Sequence, residues 1–171
     1  MRELILGGAR SGKSALAEAR AEAAPGEVVY IATAEAADDE MAARIEAHRA
    51  RRPDGWRTVE APQALSAALL EAAAPGRLVI VDCLTLWLSN RLGAGADIAA
   101  DQATLLAALK DASGELVLVS NEVGQGIVPD NAMARRFRDA AGRLNQAAAA
   151  ACEQVTYVVA GQPLTLKTPS A

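Results

Sequence analysis

The segment from Gly7 to Ser14 constrains the fold of this chain more than any other part of it. It reads Gly7-Gly8-Ala9-Arg10-Ser11-Gly12-Lys13-Ser14 and matches G-x-x-x-x-G-K-[ST] in full, directly after a short apolar run. A segment of this kind leaves a strand and opens a helix, so that its backbone N–H groups converge on phosphate oxygens. The motif predicts a nucleoside triphosphate site and, with it, phosphoryl or nucleotidyl transfer.

Three side chains are candidates for the chemistry of such a site. We expect the ammonium group of Lys13 to reach the β- and γ-phosphates, and the hydroxyl of Ser14 to bind Mg²⁺. Asp82 ends the apolar run Leu78–Val81 and would stand at the carboxyl edge of a sheet, where open α/β folds bind ligands. The sequence predicts that Asp82 ends a strand next to the phosphate-loop strand and contacts the metal. The alternative is that Asp82 caps the next helix.

Apolar runs alternate with helical patterns along the chain. The predicted strands are Glu3–Leu6, Val28–Ala32, Leu78–Asp82, Leu116–Ser120 and Val155–Ala160, with an edge strand at Leu164–Lys167. The predicted helices are Lys13–Ala23, Asp38–Arg51, Gln63–Ala73, Ile98–Asp111 and Asn131–Glu153. Short continuous apolar strands between helices indicate an α/β fold of the phosphate-loop NTPase type, a doubly wound, mostly parallel sheet with helices on both faces. No linker interrupts the pattern, so residues 1–171 are expected to form a single domain.

Charge and hydropathy narrow the choice of partners and compartment. The net charge is −4, and the only dense basic cluster is Arg49-Ala50-Arg51-Arg52. A nucleic-acid-binding protein is expected to carry a basic face, so we predict no nucleic-acid partner and a small anionic ligand at this cluster. No apolar run approaches the ~18 residues of a membrane span, and the N-terminal run is too short for a signal peptide. We therefore expect a cytoplasmic protein whose two cysteines are free, buried thiols.

His48 is the only histidine, and the spacing of its neighbours leaves two roles open. Met41, Ile45 and His48 share one face of a predicted helix, which suits a structural histidine satisfied by a single hydrogen bond. A neutral imidazole can also attack phosphorus and form a covalent intermediate, while Arg49, Arg51 and Arg52 hold the triphosphate and stabilise the developing charge.

Further segments accompany the phosphate loop in a fixed order along nearly the whole chain. They are Tyr30-Ile31-Ala32-Thr33, the run from Asp39 to Ile45, His48 with Arg51-Arg52-Pro53 and Trp56, the run from Ser120 to Pro129, and the run from Arg135 to Gln146. Together these segments resemble the bifunctional adenosylcobinamide kinase/adenosylcobinamide-phosphate guanylyltransferases of cobalamin biosynthesis. The end of the chain departs from the Gly-rich strand with which the family often finishes.

The resemblance implies two reactions. ATP or GTP first phosphorylates the hydroxyl of the aminopropanol arm of adenosylcobinamide. GTP then transfers GMP to the resulting phosphate by way of a guanylylated histidine, which gives adenosylcobinamide-GDP and pyrophosphate. The histidine role falls on His48, and the family suggests a homotrimer. Outside the phosphate loop, the resemblance implies nucleotide contacts at Ala32, Thr33, Ala34, Arg49, Ala50, Arg51, Arg52, Glu60 and Asp82.

Two other interpretations compete with this one. A monofunctional phosphate-loop kinase with a structural His48 would transfer only the γ-phosphate and would form no covalent nucleotide. A non-catalytic nucleotide switch would bind GTP or ATP and turn it over slowly without an acceptor. Asn121 and Glu122, which follow the fourth predicted strand, could bind corrinoid or metal, or serve only in a turn or cap.

Overall fold

The computed structural model describes residues 1–36, 38–50 and 52–169, and the side chains of Glu40, Arg44 and His48 also lie outside its described part. The strands are β1 (Arg2–Gly7), β2 (Glu27–Ala32), β3 (Arg57–Glu60), β4 (Arg77–Asp82), β5 (Glu115–Asn121), β6 (Gln154–Val159) and β7 (Gln162–Lys167). The helices are α1 (Lys13–Glu22), α2 (Asp39–Ala50), α3 (Leu65–Ala72), α4 (Leu84–Gly93), α5 (Ile98–Asp111) and α6 (Ala132–Ala151).

The strands form one seven-stranded sheet in the order β3-β2-β4-β5-β1-β6-β7. Every pair is parallel except β6 with β7, which is antiparallel. The predicted α/β class is confirmed, and so is the predicted edge strand after β6. Because β1 to β6 run in the same direction, their carboxyl ends meet at one edge of the sheet.

Helices cover the two faces of the sheet unequally. On one face α3, α4, α5 and α6 pack over the larger core, which includes the buried residues Leu65, Leu88 and Leu144. On the other face α1 contributes Ala17 and Ala21 to a smaller core. None of the residues of α2 whose burial is described is buried, so this helix lies at the periphery. Within the described ranges, no helix combines the length and apolarity that a membrane crossing requires.

Two elements were not predicted from the sequence. Strand β3 has Val59 as its only strongly apolar residue, and the strand has no buried residue, so it lacks the apolar run that marks the other parallel strands. Helix α4 begins two residues after β4 ends, and its first residues are as apolar as the strand. Asp82 and Cys83 are the only residues between the two apolar runs, and no glycine or proline marks the start of the helix. The predicted elements are all present, with ends that differ by at most two residues where both ends are described.

The exposed strand β7 is fastened to the rest of the molecule at its last residue. The ammonium group of Lys167 donates to the carbonyl oxygen of Ala149 at 3.0 Å and to that of Cys152. These carbonyls belong to the C-terminal end of α6, where helical carbonyls lack backbone partners and a positive charge is favourable. The unusual C-terminal sequence thus caps the longest helix.

Candidate nucleotide site

The phosphate loop joins β1 to α1 in the predicted strand–loop–helix arrangement. Gly12 adopts a φ of 101°, a left-handed conformation that L side chains rarely adopt, directly before the first residue of α1. No side chain caps α1. The free N–H groups of its first turn, together with the positive end of the helix dipole, are therefore available to an anion.

The phosphate loop holds its lysine by an internal hydrogen bond. The Lys13 ammonium group donates to the carbonyl oxygen of Gly8 at 3.1 Å, a bond that a phosphate oxygen could replace. Ser14, on the first turn of α1, is half-buried. The hydroxyl of Ser11 is buried without a hydrogen-bond partner. The Ser11 carbonyl accepts a hydrogen bond of 2.9 Å from the N–H of Gly161, so the turn between β6 and β7 holds the phosphate loop in place. Sequence reasoning missed this contact because the two residues are distant along the chain.

Three other predicted nucleotide positions lie side by side on neighbouring strands. Ala32 at the end of β2 is in register with Glu60 on β3 and with Asp82 on β4. The fold therefore assembles these positions at the same carboxyl edge as the phosphate loop. The expectation that Asp82 ends a strand adjacent to β1 is wrong, since β5 lies between β4 and β1. Two strand spacings amount to about 10 Å, a gap that bound phosphates, metal and water would have to bridge.

The carboxylate of Asp82 is held by a buried phenol. The hydroxyl of Tyr30, a residue only 2% exposed, donates to Oδ2 of Asp82. Burial, and next the negative charge of Asp82, raise the pKa of the Tyr30 phenol, so this hydroxyl remains a neutral donor. The N-cap of α4 is Cys83, and no side chain caps that helix. The alternative that Asp82 serves as a helix cap is therefore wrong.

A cation and a second aromatic ring flank the same tyrosine. The guanidinium carbon of Arg52 lies 3.6 Å from the centroid of the Tyr30 ring. The rings of Tyr30 and Trp56 are stacked, with centroids 6.4 Å apart and an interplanar angle of 23°. Arg52 also donates to the hydroxyl of Thr58 at 3.3 Å. Tyr30 therefore contacts two of the predicted nucleotide-binding residues, Asp82 and Arg52.

The C-terminal end of α2 is tied to the same edge of the sheet. Arg49 pairs with Glu60 at 2.8 Å, and both side chains are more than half exposed. An exposed pair of this kind contributes about 0–1 kcal/mol, so either partner is readily released to a nucleotide. Ala50, also exposed, is the last residue of α2. The side chain of His48, and Arg51 as a whole, lie outside the described residues.

Thr33 joins the ends of β2, β4 and α4 and is completely buried. Its hydroxyl donates to the carbonyl oxygen of Cys83 and accepts from the Cys83 N–H, both at 2.8 Å. Asn90 donates to the Thr33 carbonyl at 2.8 Å. With its hydroxyl already bonded, Thr33 would contribute to a nucleotide site mainly by placing the half-buried residues Ala32 and Ala34. Burial raises the pKa of the Cys83 thiol, as expected for an inert cysteine.

A polar network supports the end of β5 beside the phosphate loop. Asn121 donates to the Thr85 hydroxyl at 2.9 Å, and Asn145 donates to the Asn121 carbonyl at 3.1 Å. The Glu122 carboxylate accepts from the N–H of Gly124. Asn121 and Glu122, whose roles the sequence left open, therefore make hydrogen bonds within the protein, as expected of residues in a turn. Asn145 was missed, although a polar residue on the buried face of an alanine-rich helix could have indicated it.

The oxygen ligands at this edge of the sheet suit Mg²⁺. Among the described residues, no three His, Cys, Asp or Glu side chains cluster as a complete metal cage. Mg²⁺ prefers hard oxygen ligands, retains water and is commonly bound through one or two carboxylates plus substrate phosphates. Within the described part of the chain, Asp82 receives a hydrogen bond at Oδ2 and none at Oδ1, and Ser14 offers a hydroxyl at the helix start. These two oxygens fit an ion that is completed by nucleotide and water.

Comparison with known proteins identifies the family of this chain. A family model described as cobinamide kinase / cobinamide phosphate guanyltransferase matches residues 3–166. The chain is 53% identical to the bifunctional adenosylcobalamin biosynthesis protein CobP of Pseudomonas aeruginosa, over 98% of each chain. It is 44% identical to the bifunctional adenosylcobalamin biosynthesis proteins CobU of Escherichia coli and of Salmonella typhimurium, over 96% of this chain and 98% of each relative. The resemblance seen in the sequence is thus confirmed, and the chain belongs to the cobinamide kinase / cobinamide phosphate guanyltransferase family of enzymes.

Proposed function

We propose that a single nucleoside triphosphate site, running along the carboxyl edge of the sheet from β1 to β3, serves both reactions of the family in this chain. One observation carries the proposal: the phosphate loop, Asp82, Ala32 and Glu60 lie along one edge, although they are far apart in the sequence. A nucleotide with its phosphates at the loop and its nucleoside toward β3 would contact all of them.

In the kinase step, the hydroxyl of adenosylcobinamide attacks the γ-phosphorus of ATP or GTP. An oxygen–phosphorus bond forms, the bond from that phosphorus to its bridging oxygen breaks, the hydroxyl proton is released to solvent, and the nucleoside diphosphate leaves. Lys13 exchanges its bond with the Gly8 carbonyl for the phosphates and stabilises their charge. Mg²⁺, held by Ser14 and Asp82, would supply further neutralisation of the phosphate charge.

In the guanylyl step, a neutral imidazole nitrogen of His48 attacks the α-phosphorus of GTP. A phosphorus–nitrogen bond forms and pyrophosphate leaves; a phosphate oxygen of adenosylcobinamide phosphate then displaces the histidine and takes GMP. Two contacts support a nucleophile on α2. Arg49, the next residue, pairs with Glu60 at the proposed site, and Arg52 packs on Tyr30 beside Asp82. Arg51 would add a further charge to the same segment.

We also propose that the chain acts as a single domain within a homo-oligomer, a homotrimer by family resemblance. The edge strand β7 supports this assembly, since it exposes Leu164 and Leu166 and has backbone groups without a strand partner on its outer side. A trimer mass in solution that falls to the monomer mass in Leu164→Glu would support it. A monomeric wild-type chain would contradict it.

Two variants separate the two activities. We expect Lys13→Met to lose both γ-phosphate transfer to adenosylcobinamide and GMP transfer to its phosphate. We expect His48→Ala to retain the first transfer and lose the second. Each transfer is measured with GTP labelled at the γ- or α-phosphate and purified corrinoid acceptor. If wild-type protein phosphorylates the acceptor but transfers no GMP, the monofunctional kinase is the correct alternative. Slow hydrolysis without transfer to either acceptor would favour the nucleotide switch.

A further inference from the structure

We propose that Tyr30 is a positioning residue for both reactions: its hydroxyl orients Asp82 toward the metal, and its ring orients the guanidinium of Arg52 toward the nucleotide. This inference rests on the assignment of Asp82 to the metal and Arg52 to the nucleotide in the proposed function. Tyr30 would act through these two side chains and would not touch the reacting atoms.

The location of Tyr30 makes its hydroxyl unnecessary for packing. Tyr30 is in register with Ile80, two residues before Asp82 on the neighbouring strand, and its ring belongs to the smaller core. A phenylalanine ring would fill the same space without placing a polar group there. Burying a hydroxyl is unfavourable unless it finds a hydrogen-bond partner, and this hydroxyl is bonded to Asp82. We therefore assign the hydroxyl of Tyr30 to the positioning of the Asp82 carboxylate.

The bond to Asp82 selects one orientation of the carboxylate. A carboxylate on a half-exposed side chain can rotate, and each orientation presents different oxygens to the edge of the sheet. Because Tyr30 engages Oδ2, Oδ1 remains available to a metal ion or its water. The donor is uncharged, so the negative charge that attracts the cation is preserved. Hydrogen bonds that orient ligating carboxylates commonly affect metal affinity by about 10–100-fold.

The ring of Tyr30 restrains the guanidinium of Arg52. Arg52 lies 3.6 Å from the ring centroid, and its Nε is buried without a hydrogen-bond partner. Among the residues whose side chains are described, Tyr30 and Thr58 are the partners that orient this guanidinium. The hydroxyl of Tyr30 contacts Asp82, whereas its ring contacts Arg52. Removal of the hydroxyl alone and removal of the whole ring are therefore predicted to have different effects.

Two substitutions of Tyr30 isolate these effects. Tyr30→Phe removes the hydroxyl and keeps the ring, whereas Tyr30→Leu removes both. Binding of Mn²⁺ is measured by the electron paramagnetic resonance signal of the free ion, with a non-hydrolysable GTP analogue bound. Nucleotide affinity is measured separately in chelator. Tyr157→Phe, on half-buried Tyr157 of β6, is the matched control, and Asp82→Asn tests the metal assignment itself.

We expect Tyr30→Phe to raise the Mn²⁺ dissociation constant about tenfold and to leave metal-free nucleotide affinity unchanged. We expect Tyr30→Leu to weaken metal-free nucleotide binding as well, by about 3–10-fold, through loss of the stacked cation. Tyr157→Phe should match the wild type in Mn²⁺ binding and in metal-free nucleotide affinity. If Asp82→Asn weakens Mn²⁺ binding and Tyr30→Phe does not, the positioning role is wrong while the metal assignment stands. If Asp82→Asn has no effect either, both are wrong.

Discussion

Gly7→Ala is predicted to deform the phosphate loop, whereas Gly8→Ala is not, although both changes add one methyl group to adjacent loop residues. A Cβ at position 7 would lie 2.6 Å from the carbonyl oxygen of Val158 and would also meet the side chain of Ser11. Ordinary contacts begin at 3.4 Å, so the atoms must separate by the difference of 0.8 Å. Val158 is a backbone partner within β6, between β1 and β7, and has little freedom to move. A Cβ at position 8 meets nothing within 4 Å.

The clash at position 7 can be converted into an expected change in melting temperature. Overpacking of this kind costs about 1–3 kcal/mol. For a chain of 171 residues, each kcal/mol corresponds to about 2–4 °C, so Gly7→Ala should melt about 2–12 °C below the wild type. Calorimetry without nucleotide measures this directly, and Gly8→Ala should melt at the wild-type temperature. Equal melting of Gly7→Ala and the wild type, or an equal loss in both variants, would refute the reasoning.

Three further predictions concern stability and binding. Lys167→Met removes the cation that caps α6, and we expect a loss of about 1–2 kcal/mol in the free energy of unfolding, with GTP affinity unchanged. An unchanged free energy of unfolding would contradict the capping role. Burial raises the pKa of the Cys152 thiol from 9.0 to about 12, so its stabilising contribution is complete below pH 9 and is lost as the pH rises toward 12. Between these values the wild type should lose up to about 1.4 kcal/mol per pH unit more than Cys152→Ala in denaturant titrations, and parallel pH profiles would contradict this. Arg52→Lys replaces a planar stacked cation by a point charge, so equilibrium titration should give a GTP dissociation constant raised about 3–10-fold, and unchanged affinity would argue against a role for stacking.

Features that depend on neighbouring residues could be predicted from the sequence. The phosphate loop is recognisable because all its chemical requirements fall between Gly7 and Ser14, and the α/β class follows from apolar runs between helices. The carboxyl-edge location of Asp82 follows in the same way. These predictions use the residues on either side of each motif and need no knowledge of which strands are neighbours.

Features that depend on strand order could not be predicted. Nothing near Asp82 indicates that β5 separates its strand from β1, because strand order is set by crossovers and packing over the whole domain. The bond between Tyr30 and Asp82 joins residues on different strands, and the support of Ser11 by Gly161 joins opposite ends of the chain. Residues of this kind resemble ordinary core or turn residues until the fold brings them together.

We propose that His48 carries GMP as a covalent intermediate. The most direct measurement is incubation with Mg²⁺ and GTP labelled at the α-phosphate, followed by denaturing electrophoresis, with His48→Ala alongside. We expect label on the wild-type band that survives alkali, is lost in acid and is absent from the variant, as a phosphoramidate requires. Wild-type protein that binds GTP but retains no label, or His48→Ala that retains it, would contradict a covalent intermediate at His48.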